Sequence, residues 1–409
     1  MSETRPAGAG AGERRAWVTV AFATMCSAFP AFVTGALGVQ LRDEVGLSAT
    51  QIGVAMAVSF AVAAALSAPM GRLAERLGPQ WAFRSGLATS AIAMVLLAAV
   101  AREFWQFCGF LAIAGAANAL SQPSANLMLA THVPAERMGF ALAAKQSGMP
   151  AAALLGGGAV PAIALTVGWQ WAYALGAVLA LAAFTLLPRD PHDPNRPARR
   201  GSALAMVAGS RSAKPDLGTG LLVLYAVVGF LGASNAGAMV GFITIGAEES
   251  GLGPGAAGLV LSLGSFVGIV SRIFQGVQVD RRGVLPIQRL VWLFALGGLG
   301  VLGLAIDVPA SYLVATVPAF AFGWAWPGLF NLSVVRNNPS APGAATGISQ
   351  VGIFAGAAAG PAIGGLIVDN GSYRMLWMAG AGILFLGATV AVYLRTRIRA
   401  ARSVEPARP

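Results

Sequence analysis

The sequence predicts an all-α integral membrane protein, with twelve transmembrane helices in two pseudo-symmetric bundles of six. Three observations carry that prediction. The 409-residue chain is 56% hydrophobic and only 11% charged, with a mean hydropathy of +0.70, whereas a soluble domain is about a quarter charged. Apolar runs of about twenty residues, the length that crosses a bilayer, recur along the whole chain. The first half also returns in the second at a nearly constant offset.

The runs fall at 16–39, 50–70, 81–101, 104–130, 138–165, 168–188, 218–247, 254–279, 285–306, 309–335, 343–368 and 372–395. The first follows Arg14 and Arg15, as a signal peptide would. It is too long for a signal-peptide core and lacks a small-residue cleavage site before LRDE, so it reads as a retained helix. The one long polar gap is 189–217, RDPHDPNRPARRGSALAMVAGSRSAKPDL. Its Pro and Arg content reads as a cytoplasmic linker between an N-terminal half, 1–188, and a C-terminal half, 218–409.

VGLSATQIG at 45–53 aligns with SGLGPGAAG at 250–258, and GRLAERLG at 71–78 with GVQVDRRG at 276–283, both at an offset of 205. KQSGMPAAALLG at 145–156 aligns with SQVGIFAGAAAG at 349–360, and Pro123 with Pro327, at 204. A repeat of six spans makes the halves parallel, related by an axis along the membrane normal, with a substrate site between them near mid-membrane. An even number of spans puts both termini on one side. Of the 27 Lys and Arg residues, only Arg42, Arg102 and Arg374 then fall in loops on the other side, and Lys145 and Arg272 fall inside spans. Positive charge gathers on the cytoplasmic side, so both termini are expected there.

The net charge of +11 is therefore topological and does not indicate nucleic-acid binding. Cys26 and Cys108 lie in apolar runs with no zinc or redox spacing, and read as small buried hydrophobes. GLGVLG at 298–303 fits a dinucleotide fingerprint but lies inside a span with no strand before it, and NLS at 331–333 is a glycosylation sequon inside a span. The spans carry no metal cluster, no nucleophile–base pair and no catalytic carboxylate pair. The expectation is a non-enzyme that needs no cofactor.

GRLAERLG and its echo GVQVDRRG resemble the cytoplasmic loop signature of the major facilitator superfamily, and with twelve spans and a central linker the resemblance covers the whole chain. Gly71, Leu73, Arg76 and Gly78 match in the first copy; Gly276, Asp280, Arg281 and Gly283 match in the second. Glu75 stands where the family has Asp, and Pro79 and Gln80 replace a basic pair. The resemblance implies a gate at the inner face. A carboxylate at one helix end can meet the positive end of a neighbour and nearby guanidinium groups. GISQVGIFAGAAAGPAIGG at 347–365 resembles the family's antiporter signature through Gly347, Gly356, Gly360, Pro361, Gly364 and Gly365. Drug exporters carry that signature in the fifth span; here it lies in the eleventh. Gly352, Gly356, Gly360 and Gly364 recur every four residues, so the better reading is a flat face for close helix packing. Leu111 replaces the arginine of the family's span-four export signature.

Lys145 and Arg272 carry the functional expectation. All sixteen Asp and Glu fall in loops, tails or helix ends, so neither cation has an evident acidic partner in the membrane. An unpaired charge there costs at least about 2.5–3.5 kcal/mol. Counting from the ends of spans five and eight puts both at roughly 10–12 Å from the inner boundary, at 1.5 Å per residue. The resemblance makes those spans face each other, and an anion between the cations would cancel their repulsion. The alternative is that each snorkels to the cytoplasm, or that Arg272 braces the loop at Asp280. Asn118, Gln122, Gln146, Asn235, Asn331 and Gln350 are candidates to complete the site, each open to a simple helix–helix hydrogen bond instead. Trp324, Trp326 and Tyr225 are further candidates for lining it.

The function expected is a monomeric transporter in a bacterial plasma membrane, moving a small organic anion across the lipid bilayer by alternating access. The cyanate-permease-like or monocarboxylate-type carriers are the branch suggested. A proton or counter-anion is the expected coupling partner. A drug or metabolite exporter is the first alternative; a non-transporting sensor or scaffold is the second.

Overall fold

The computed structural model describes residues 11–133, 138–187, 215–282 and 286–404. Among them there is no strand; eleven helices are long and apolar enough to cross a membrane, and Gln170–Leu186 is apolar but shorter. Span one is Ala11–Ala36, followed by the short helix Gly38–Val45. Spans two, three and four are Ala49–Leu77, Pro79–Ala99 and Phe104–His132. Span five comes in pieces, Met138–Gln146 and Gly148–Ala159, then a π-helical turn Val160–Ala164 and Leu165–Val167. Span six is Gln170–Leu186. Spans seven, eight and nine are Thr219–Glu249, Pro254–Arg282 and Pro286–Leu304. Span ten is also broken, into Pro309–Gly323 and Pro327–Arg336, and spans eleven and twelve are Pro342–Asn370 and Tyr373–Val404.

The sequence treats spans five and ten as single runs; the structure breaks both, each just ahead of a proline, Pro150 and Pro327. Proline has no N–H to return to the carbonyl four residues back. Pro150 so leaves the carbonyl of Gln146 unclaimed, and Pro327 that of Gly323. The repeat is legible in the turns as well. Gly46 and Gly251, 205 apart in sequence, both sit at positive φ, 78° and 105°. Each reverses the chain just after a helix where a side chain would be strained. Ser48 then starts span two with a capping box, its hydroxyl 3.2 Å from the N–H of Gln51 and its own N–H 3.0 Å from Gln51 Oε1.

Spans one to six pack among themselves, as do seven to twelve, and the two sets meet where span one lies on seven, two on eleven and five on eight. Backbone touches backbone at these crossings. A Cβ on Gly53 of span two would strike the carbonyl of Pro361, and one on Gly258 of span eight would lie 2.6 Å from that of Gly157. These are the same contact in the two repeats. Exposed tryptophans mark the lipid–water borders: Trp81 and Trp292 near the starts of spans three and nine, Trp105 and Trp171 near those of four and six. At the chain-end face, Asp216 accepts from Ser340 N at 2.9 Å and Ser340 Oγ at 2.6 Å, which ties the entry to span seven to the turn between ten and eleven. Those hydrogen bonds from Ser340 hold the Asp216 carboxyl below its ordinary value.

A candidate substrate site between the two sets of helices

Arg272 on span eight sits where the breaks in spans five and ten come together. Its Nη2 and Nε donate to the carbonyl of Trp324 at 2.8 and 3.2 Å, and Nη1 donates to that of Gln146 at 3.1 Å. The guanidinium also lies 5.4 Å from the Trp324 ring centroid. Next to it Ser271 donates to the carbonyl of Ala321 at 2.5 Å. A cation at the exposed carbonyls of a helix end is in its favoured place. Arg272 therefore closes two interrupted helices at once, one from each set. Its guanidinium reaches across the interface to these carbonyls.

Lys145 precedes Gln146, whose carbonyl accepts from Arg272, and is only 4% exposed. Its Nζ donates to Asn126 Oδ1 at 2.8 Å and to the carbonyl of Gln122 at 3.5 Å. The polar row continues along span four: Gln122 Nε2 donates to Asn118 Oδ1 at 3.1 Å, as does Ser27 Oγ from span one at 3.4 Å. Asn118 in turn lines a small pocket of about 10 Å³ with Ser27, Phe32, Ser59, Phe60 and Met149. Phe32 stacks on Trp324 across the interface, centroids 6.1 Å apart. Gln146 Oε1 is buried at this level with no hydrogen-bond partner. Lys145, Arg272, Gln146, Gln122 and Asn118 thus form one polar belt, and every hydrogen-bond partner of its two cations is uncharged.

Asn126 and the Trp324 carbonyl are absent from the sequence reading. Asn126 was findable: Asn118, Gln122 and Asn126 recur every four residues on one helix face. The carbonyl had a fainter signal in the WAWP stretch at 324–327. The remaining candidates lie elsewhere. Asn235 is buried within the second set, its Nδ2 3.1 Å from Met239 Sδ and its Oδ1 close against Gly380 of span twelve. Gln350 donates to Asn331 at 3.5 Å, a pair linking spans ten and eleven and not bonded to either cation. Tyr225 donates to or accepts from Ser333 at 2.7 Å, and Trp326 packs edge-on to Phe294 and Phe330.

Of the loop motifs, Glu75 and Arg76 are exposed at the end of span two, and Gly78 turns the chain at φ 80° into Pro79. Gly276 is exposed in span eight; the side chains of Asp280 and Arg281, and all of Gly283, lie outside the described residues. In span eleven, a Cβ on Gly352, Gly356 or Gly360 would strike the carbonyl of Ala226, Phe230 or Ser234 of span seven, while the Pro361 carbonyl meets Gly53. The glycine face is a packing face.

The contacts between the two sets run from the face opposite the chain ends down to the Arg272–Gln146 bond. At the far face Arg42 pairs with Glu248 and Glu249 at 2.9 and 2.5 Å, besides its neighbour Asp43. Burial opposes the charge on Arg42, but the hydrogen bonds to Asp43 and Glu248 outweigh it and hold the guanidinium above its ordinary value. Asp369, at the end of span eleven, accepts from the N–H groups of Ala49 and Thr50 at 3.1 and 2.8 Å, capping span two from across the interface. Lower down, Thr244 donates to the Gly35 carbonyl at 2.9 Å and Ser262 to that of Leu154 at 2.8 Å. On the chain-end side, a Cβ on Gly71 at the end of span two or on Gly276 in span eight would meet nothing within 4 Å. Asp369→Ala should loosen the closed face by about 1 kcal/mol, the worth of a cap. In membranes carrying a Thr244→Cys reporter it should raise the rate of labelling by an impermeant maleimide from that face, and an unchanged rate would remove Asp369 from the closure.

Known proteins agree with this architecture. Residues 20–336 match the family model described as Major Facilitator Superfamily. The proteins named "Multidrug resistance protein MdtG" from Escherichia coli O1:K1 / APEC and from Escherichia coli strain K12 / DH10B are each 24% identical to this chain over 345 residues, covering 82% of it and 82% of their own length. With its helical bundle and a family match over most of its length, the chain belongs to the Major Facilitator Superfamily.

Proposed function

We propose that this membrane transporter, which is not an enzyme, carries a small organic anion between its two six-helix halves by alternating access, with Lys145 and Arg272 as the anion's ligands. The observation that carries the reading is the pair of interior cations whose partners are all neutral. Their carbonyl and amide contacts satisfy donors without cancelling charge, and a carboxylate between them would do so. The distribution of Arg and Lys supports chain ends in the cytoplasm, and in that orientation the outer face is the closed one and the carrier is open inward. Gln122, Gln146 and Asn118 extend the site toward the cavity at Ser27.

Thermal unfolding of the purified protein tests this against a panel of carboxylates, sugars, amines and lipophilic cations. A ligand that binds only the folded state stabilises it by about 2.7 kcal/mol at a hundred times its Kd. A carboxylate should raise Tm in the wild type and not in Lys145→Gln. The second reading is drug export, supported by the likeness to MdtG. Stabilisation by lipophilic cations alone would favour it, and the two cations would then be structural.

A further inference from the structure

A carrier driven by protons needs a group in the membrane that gains and loses one. Among the described residues, Asp and Glu stand at helix ends or in turns: Glu75, Glu248, Glu249 and Asp369 close their helices, and Asp307 lies between spans nine and ten. Among the described residues, the basic groups where the two sets meet are Lys145 and Arg272; Arg84, also buried, donates to the carbonyls of Phe184 and Leu187 within the first set. Arginine keeps its proton in proteins, whereas a buried lysine can give it up.

The hydrogen bonds around Lys145 distinguish its two forms. An ammonium has three N–H donors and a neutral amine two. Nζ has two acceptors, Asn126 Oδ1 and the carbonyl of Gln122. Both N–H donors of the neutral amine are satisfied by them, and its lone pair stays free to take a proton. The ammonium has one N–H left over, in a site that leaves Lys145 only 4% exposed. The guanidinium of Arg272, bonded to the next residue's carbonyl at 3.1 Å, is a fixed positive neighbour. The helix Met138–Gln146 packs on spans one and four and on Gly148–Ala159. Among the described side chains, the titratable groups those elements bring are Arg14, Arg15 and Cys26 from span one, and Cys108 and His132 from span four. His132 lies at the chain-end boundary, its Nδ1 2.9 Å from the Met128 carbonyl. Arg272 is thus the charged neighbour that bears on Lys145.

Resting on the anion reading above, we infer that Lys145 carries the coupling proton: its amine takes up H⁺ when the anion binds and releases it when the anion leaves. Nζ with its lone pair becomes –NH₃⁺, the third N–H faces the anion, and the same bond breaks on release to return the proton to water. The empty site then holds one net positive charge, Arg272. Loaded with a monovalent anion it holds two cations and one anion, again a single net positive charge. Empty and loaded carriers therefore bear equal charge through the membrane, where each uncompensated charge is costly. Transport is one proton per monovalent anion and electroneutral.

The test adds acetate, lactate or benzoate to detergent-purified protein at pH 7.5 in weakly buffered solution with a pH indicator, while binding is followed in parallel by thermal stabilisation. Binding linked to protonation should draw close to one proton, at most about one, per protein from solution. Lys145→Arg should still bind the anion with no proton uptake, and Lys145→Met should bind about tenfold or more weakly, also without uptake. In liposomes loaded with wild-type protein, a pH gradient should drive uptake of the bound carboxylate and a valinomycin potential should not. Carboxylate binding with no proton uptake by the wild type, or unchanged uptake in Lys145→Arg, overturns the inference and leaves the anion site standing. If folded wild type binds none of the three, the anion reading itself fails and the inference with it.

Discussion

Arg272→Gln should abolish anion transport in protein that still folds and reaches the membrane. The guanidinium donates to the Trp324 and Gln146 carbonyls from one rigid fork, and no glutamine can reach both. It is also the permanent charge of the site. Removing one member of a buried, hydrogen-bonded charged contact costs about 2–5 kcal/mol, a loss of affinity of about thirtyfold or more. Arg272→Lys separates the two roles. It keeps the charge and loses the fork, so it should retain weak transport with a raised KM. Uptake of labelled carboxylate into proteoliposomes reads both variants, and wild-type rates in Arg272→Gln would sink the two-cation site.

Gly356→Val should leave almost no folded protein. A Cβ at Gly356 would overlap the carbonyl of Phe230, with its Cα 2.9 Å away, and Gly352 and Gly360 repeat the contact one turn to either side. The obstacle is backbone, so no side-chain rotation relieves it, and spans seven and eleven would have to separate along their length. Overpacking costs about 1–3 kcal/mol where side chains can move, and more where they cannot. Size-exclusion profiles of a fluorescent fusion would show the monodisperse peak lost. Gly347→Val, on the same helix with nothing within 4 Å, should behave as wild type. Equal profiles for the two variants would contradict the packing described for span eleven.

Much of this was legible in the chain. Hydropathy alone marks every span, because a bilayer admits only helices whose backbone is internally bonded. The glycine face of span eleven was legible from its four-residue period. Lys145 and Arg272 were legible as anomalies, and their equal depth followed from counting residues. Asn126 was overlooked, although it extends the Asn118–Gln122 face by one turn. Asn235 was misleading because polarity marks a buried side chain without saying which neighbour it serves. Its amide turns to Met239 and Gly380 inside the second set.

What the sequence by itself determined is the class of molecule: membrane helices, their repeat, the side on which positive charge gathers, and two cations without acids. These depend on local composition and on position along one helix. Only the tertiary structure decided that Arg272 meets both the carbonyl freed by Pro150 and that of Trp324 at the break before Pro327, that Lys145 turns to Asn126 and the Gln122 carbonyl, that Asp369 caps span two, and which face is closed. The contacts that join the two sets, Arg272 with Gln146 and Asp369 with Ala49 and Thr50, link residues more than a hundred positions apart, and what brings them together is the crossing of helices at Gly53, Gly157 and Gly258, where two backbones approach closely enough to leave no room for a side chain.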